Sequence, residues 1–174
     1  MKIFFTGASG VGKSTLVEKI QELYPHLFRP QNFTRPMHRA LGFPTNSDIT
    51  NEVQFATTAF MAYQIITHDN IIYDRCLVDS LVYTQLAKNI TDEQYKYHLE
   101  SFKSIFENLE DAYYFYIPIE FKLESDGIRS KDIEFQKKTD VLIKEFLIEN
   151  NIDFYEITGT VEERMTKILK VLGD

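Results

Sequence analysis

Gly7-Ala8-Ser9-Gly10-Val11-Gly12-Lys13-Ser14-Thr15 is the stretch on which the fold of this chain turns. Before it stands Ile3-Phe4-Phe5-Thr6, a short apolar run ended by glycine, which signals a strand. After it, Lys13 to Leu23 places Leu16, Ile20 and Leu23 on one helical face. Pro25 stops that pattern. Residues 7–14 match G-x-x-x-x-G-K-[ST] in full, between a strand and a helix, which is the context the pattern requires.

Each residue type has a mechanical reason. Gly7, Gly10 and Gly12 allow backbone angles and close approaches that a β-carbon would block. The N–H groups of Gly7 to Thr15 can then converge on the phosphates of ATP or GTP, at the positive end of the following helix. The Lys13 ammonium reaches the β- and γ-phosphates. Ser14 carries the hydroxyl expected to ligate Mg²⁺, a hard cation that prefers oxygen.

Outward from the loop, strands alternate with helices. Leu27 to Phe33 reads as a second, weaker strand interrupted by Pro30. Thr34 to Asp48 is mostly loop. Glu52 to His68 is a long helix, with Phe55, Ala59, Ala62, Ile65 and Ile66 roughly on one side. Asn70 to Asp74 is strand-like, and Leu77 to Ala87 is helical. Thr91-Asp92-Glu93-Gln94 has the spacing of a capping box. Ala112 to Ile117 is the clearest strand. Asp132 to Asn150 is helical, Asp153 to Ile157 is a short strand, and a second capping box at Thr160 to Glu163 opens the last helix. This alternation predicts right-handed βαβ units and a parallel sheet covered on both faces.

The bulk properties fit that expectation. The chain has 174 residues, 44% of them apolar and 26% charged, which suits one domain, residues 1–174, with one substantial core. A formal charge of -7 argues against an extended nucleic-acid surface. Cys76 is the single cysteine, so no disulfide can form within the chain. No apolar run approaches the ~20 residues that span a membrane. Cytoplasmic location is the default expectation. The histidines lack the spacing of a zinc site.

A second constellation follows the third expected strand. Ligands of open parallel sheets sit at the carboxyl ends of strands, and Asp74-Arg75 ends one there. Asp74 could accept a proton from a substrate hydroxyl or help hold Mg²⁺. Arg75 could stabilise charge on a transferring phosphoryl group. A solvated ion pair is the plain alternative. From Glu52 to Gln85, with Tyr73-Asp74-Arg75 at its centre and Ser80 and Tyr83 on the next helix, the chain resembles the thymidylate kinase and deoxynucleoside kinase group of P-loop kinases. The wider set includes nicotinamide riboside kinases. Thr34-Arg35-Pro36 resembles the Thr-Arg segment where such kinases contact the acceptor, although Pro36 stands where thymidylate kinases usually carry Glu. The resemblance implies a three-layer α/β sandwich with five parallel strands in the order 2-3-1-4-5.

On the acceptor side, Arg35 and Arg39 offer guanidinium forks for phosphate or carboxylate, or serve only as surface charge. Gln54 could hydrogen-bond a base, while Phe55 belongs more naturally to the core. Ser80 and Tyr83 complete the expected acceptor site. Residues 118–131 suit either a lid that brings Arg129 onto the phosphates or a plain exposed loop. The reading is ATP- and Mg²⁺-dependent phosphoryl transfer to a nucleoside or nucleoside monophosphate, carried by Lys13, Asp74, Arg75 and Arg129. A kinase for nicotinamide riboside or a related metabolite is the first alternative. A nucleotide-hydrolysing switch or partner-binding module is the second. Among protein partners a homodimer stays open.

Overall fold

The structure is a computed structural model that describes residues 1–30, 48–120 and 133–173. Strands are β1 (Lys2–Thr6), β2 (Ile71–Asp74), β3 (Ala112–Tyr116) and β4 (Phe154–Glu156). Helices are α1 (Lys13–Leu23), α2 (Asn51–Thr67), α3 (Leu77–Leu86), α4 (Asp92–Glu107), α5 (Ile133–Glu149) and α6 (Val161–Leu172). All pairings are parallel, and the sheet runs β2-β1-β3-β4.

The described residues therefore form four strands, not the expected five in the order 2-3-1-4-5. Where the extra strand was expected, Phe28 makes a single parallel bridge to Ile71 at the edge of β2. The Phe28 N–H donates to the Asn70 carbonyl, and the Ile72 N–H donates back to the Phe28 carbonyl. In a parallel ladder the next donor from this side would be residue 30. That residue is Pro30, which has no N–H to give.

Strand β1 is apolar on both faces because both are covered. Ile3 and Phe5 pack with Ile72 and Phe115 against Leu16, Val17 and Ile20 of α1 and Ile168 of α6. Phe4 points the other way, into a larger cluster with Tyr73, Tyr114, and side chains of α2, α3, α4 and α5. This is the three-layer arrangement that a continuous apolar strand demands. Cross-strand aromatic pairs tighten it, with ring centroids 4.9 Å apart for Phe4 and Tyr114 and 5.4 Å for Phe5 and Phe115. Such pairs contribute about 0.5–1.5 kcal/mol each beyond burial. Leu23 and Ile66, which the spacing put on buried faces, are exposed at 56% and 60%. Phe55 lies against Phe102 and Tyr97, as a core residue would.

Both capping boxes form. Thr91 Oγ1 accepts from the Gln94 N–H while Gln94 Oε1 accepts from the Thr91 N–H. Thr160 and Glu163 exchange the same two bonds. Each supplies partners to donors that a helix start otherwise leaves unpaired.

His98 of α4 is fully buried, its Nε2 3.0 Å from Asn51 Oδ1 and its Nδ1 without a partner. Burial disfavours the charged ring and lowers its pKa below the ordinary imidazole value. The folded state thus binds fewer protons than the unfolded one as pH falls through about 6.5. Urea midpoints should therefore fall as pH is lowered through that window. A His98→Gln variant should show a flatter pH dependence; an unchanged slope would remove His98 as its source.

Candidate functional site

The carboxyl ends of the strands gather the site. Gly7 leaves β1 at φ 141°, and an added β-carbon would stand 2.4 Å from the Ile117 carbonyl oxygen. Only glycine lets the chain turn this close to the end of β3. Gly10 and Gly12 also have positive φ, and α1 begins at Lys13. Ala8 is buried, Ser9 half-buried, and Thr15 exposed on the first turn of α1. Lys13 is buried, and its Nζ donates to the Gly7 and Ala8 carbonyls, each at 2.6 Å.

Ser14 and Asp74 meet across the crevice. The Ser14 Oγ donates to Asp74 Oδ2 at 2.5 Å, so the hydroxyl of the loop and the carboxylate of the strand end face one point. Two oxygen donors of this kind fit Mg²⁺, which takes few protein ligands and completes its shell with water and phosphate. Among the described residues no cluster of three or more His, Cys, Asp or Glu side chains could hold a metal.

Arg75 follows at φ 93°, a conformation that residues with a β-carbon seldom take and that costs on the order of 1–3 kcal/mol. Its N–H donates to the Phe5 carbonyl at 2.8 Å, holding the turn against β1. Its guanidinium donates to the Tyr83 hydroxyl at 3.2 Å, lies over the Tyr83 ring, and pairs with Asp79 at 3.8 Å. Burial works against that charge, yet Tyr83, Asp79 and Asp74 outweigh it and raise the guanidinium pKa.

Asp79 was not among the residues singled out from the sequence, and it ties the site together. Nearly fully buried, it accepts from the Gly7 N–H at 3.3 Å and from the Cys76 N–H at 2.9 Å. One carboxylate thus links the start of the phosphate loop, the start of α3 and Arg75. Its signal was an acid four residues after Arg75 and three after a helix start. Cys76 is buried beside it, and burial pushes its thiol pKa up, as for a structural thiol.

Gln54 and Ser80 lie together but are engaged with each other. Gln54 Nε2 donates to Ser80 O at 2.8 Å and Ser80 Oγ at 3.0 Å, and Thr58 Oγ1 stands 2.6 Å from the same hydroxyl. These bonds join α2 to α3. Tyr83 sits half-buried between Arg75 and Phe135. Arg35, Arg39 and Arg129 lie outside the described residues, as does the 118–131 segment beyond Glu120.

Two further side chains reach the loop from distant elements. Gln136 of α5 donates to the Ser9 carbonyl at 2.6 Å, and Arg164 of α6 donates to the Val11 carbonyl at 2.7 Å. Arg164 also donates to Glu120 at 2.6 Å. Its sequence signal was a cation on the apolar stripe of the last helix, three residues after Val161 and four before Ile168.

Comparison with known proteins agrees with this geometry. Deoxyadenosine kinase from M. mycoides, with dCMP and dCDP bound, has the same fold at a TM-score of 0.68 and 17% identity, covering 99% of this chain and 98% of that one. NadR in complex with NR aligns at a TM-score of 0.76 and 14% identity over 98% of this chain and 50% of that one. The YorR protein of Bacillus subtilis, in complex with phosphorylated GDP, aligns at 0.56 and 17% identity over 99% and 95%. No curated protein sequence matches the chain significantly. A family model described as AAA domain matches residues 2–164, the phosphate loop, Asp74 and Arg164 included. The chain therefore belongs to the AAA domain family, and its fold is that of the P-loop nucleoside kinases.

Proposed function

We propose that this protein is a Mg²⁺-dependent kinase that transfers the γ-phosphoryl group of ATP to a small nucleoside or nucleoside monophosphate. The observation that carries the reading is the contact between Ser14 and Asp74, which brings a carboxylate from a second strand to the mouth of the phosphate loop. That pair would hold Mg²⁺ against a triphosphate in kinases and hydrolytic P-loop proteins alike, so the choice of a kinase over a hydrolytic switch rests on the fold matches. Similarity in fold to a deoxyadenosine kinase over nearly the whole of both chains supports the same class of acceptor. The fold match to NadR with NR supports a second reading, in which the acceptor is nicotinamide riboside or a related nucleoside.

The chain's own residues supply positioning and charge neutralisation, which dominate phosphoryl transfer. Lys13 sits where its ammonium can leave the Gly7 and Ala8 carbonyls for phosphate oxygens. Ser14 and Asp74 would hold Mg²⁺, which supplies charge neutralisation when bound. Asp74 could alternatively take the proton of the acceptor hydroxyl. Arg75 is held by Tyr83 and Asp79 at the same strand end. Arg129 on a closing lid, with Arg35 and Arg39 beside the acceptor, completes the proposal. Gln54, Ser80 and Tyr83 form the wall of the acceptor side.

A coupled ADP-release assay should test it, with ATP or GTP, Mg²⁺, and a panel of nucleosides, nucleoside monophosphates and nicotinamide riboside. Turnover that depends on one acceptor is expected; nucleotide hydrolysis indifferent to every acceptor would point instead to a hydrolytic switch. Lys13→Ala should lower turnover by roughly 10²-fold or more, the scale of losing one preorganised charge-stabilising donor. Asp74→Asn keeps shape and removes charge, and should lose most activity. Full activity in that variant would refute both roles given to Asp74. Asp79→Asn should destabilise the fold by about 1–3 kcal/mol in urea titration, since buried donors lose a charged acceptor.

A further inference from the structure

The carbonyls of the phosphate loop are gripped from outside the loop, and that grip has a directional consequence. In a trans peptide the carbonyl of one residue and the N–H of the next lie in one plane and point in opposite directions. Gln136 holding the Ser9 carbonyl therefore sets the direction of the Gly10 N–H. Arg164 holding the Val11 carbonyl sets the direction of the Gly12 N–H. Both glycines sit at positive φ, 86° and 94°, where no β-carbon restrains the backbone. Without the two tethers those peptide planes could turn over at little cost.

The tethers are built for rigidity. Gln136 and Arg164 are each about nine-tenths buried or more, at 6% and 4% exposure. Arg164 presents its donors in a rigid planar fork. Its second nitrogen is fixed by Glu120, whose carboxylate also accepts from the Gly159 N–H at 2.9 Å. Burial works against the Glu120 charge, yet the bonds from Arg164 and Gly159 outweigh it and lower its pKa. The chain thus places a desolvated cation behind a glycine loop, where a well-packed apolar side chain would often be no less stable. Stability alone does not explain that choice; aiming an N–H does.

We infer that Gln136 and Arg164 are positioning residues for the triphosphate donor: each holds one loop carbonyl from behind and so presents the Gly10 or Gly12 N–H to the phosphates, with Glu120 fixing Arg164. The inference rests on the reading of the loop as a nucleotide site. Neither residue touches the nucleotide; both act through the backbone they hold.

Calorimetric binding of Mg·ATP to the full chain tests it. Gln136→Met should weaken binding about 5-fold, and Arg164→Met about 10-fold, the scale of one backbone-orienting hydrogen bond and of one to a charged donor. Arg164→Lys, which keeps the charge but not the fork, should recover part of the loss. Arg164→Met with Glu120→Gln removes both charges together, so no buried charge is left unpaired, and keeps the test open if Arg164→Met alone does not fold. Thr84→Val removes a buried hydroxyl bond to Ser80 O in α3. It should lower the thermal midpoint and leave ATP affinity unchanged, separating loss of stability from loss of aim. In the kinase assay, KM for ATP should rise in the tether variants while KM for the acceptor holds. Folded Gln136→Met and Arg164→Met/Glu120→Gln proteins that bind ATP within about twofold of the parent would overturn the inference. A parent chain that binds no nucleoside triphosphate would overturn the nucleotide reading itself, a visibly different result.

Discussion

A loop that is to offer its N–H groups to an anion must first dispose of its carbonyls. Buried peptide oxygens need partners, and partners drawn from the wrong side would turn the N–H groups away. In this protein the Gly7 and Ala8 carbonyls go to Lys13, Ser9 goes to Gln136, and Val11 goes to Arg164. Most of the architecture can be read as the means of delivering those donors. The parallel sheet brings the ends of β1, β3 and β4 to one edge. Helices α5 and α6 then return from that edge along opposite faces, each within reach of the loop. Gly7 marks how tight the arrangement is, since even a methyl group would collide with the Ile117 carbonyl.

Asp79 plays the matching part between the two halves of the site. It receives the first N–H of the loop, caps α3, and faces Arg75. The unfavourable backbone of Arg75 is held by the Phe5 carbonyl on one side and by Tyr83 and Asp79 on the other. Strain of this kind persists only where surrounding contacts over-determine it, and such places concentrate at functional sites. The strand end therefore has one backbone geometry available, and Asp74 is presented to Ser14 as a consequence.

What was legible in the sequence follows the range of the interactions. The phosphate loop, the alternation of strands and helices, the capping boxes and the Asp74-Arg75 pair are local patterns, and local patterns are written in consecutive residues. Among the described residues the expected strand at 27–33 is reduced to the Phe28 bridge, and this was half legible: Pro30 was visible, but its effect depends on a register that puts its absent N–H opposite the Ile72 carbonyl. Gln136 and Arg164 were not legible as partners of the loop, because their acceptors lie 127 and 153 residues away. Only an oddity remained, a charge on an apolar stripe. Gln54 and Ser80 show what spacing leaves out. Polar side chains near a site read as ligand contacts, yet here they also satisfy each other between two packed helices, a use that sequence spacing does not distinguish.

The metal chemistry of the proposed reaction is constrained by the same geometry. Ser14 and Asp74 contribute one hydroxyl and one carboxylate, and the described residues offer no cluster with three or more ligating side chains. Two oxygen donors among the described residues would leave most of the six near-octahedral positions this cation wants to water and phosphate. Phosphate oxygens would have to complete the shell. On the proposed reading, metal and nucleotide are then held as a unit, and the protein's task is to fix where that unit sits. Where that unit sits depends in turn on the aim of the loop's N–H groups. A phosphate chain misplaced by an ångström would carry its metal with it, and Asp74 would no longer meet the ion that the proposed reaction has it hold.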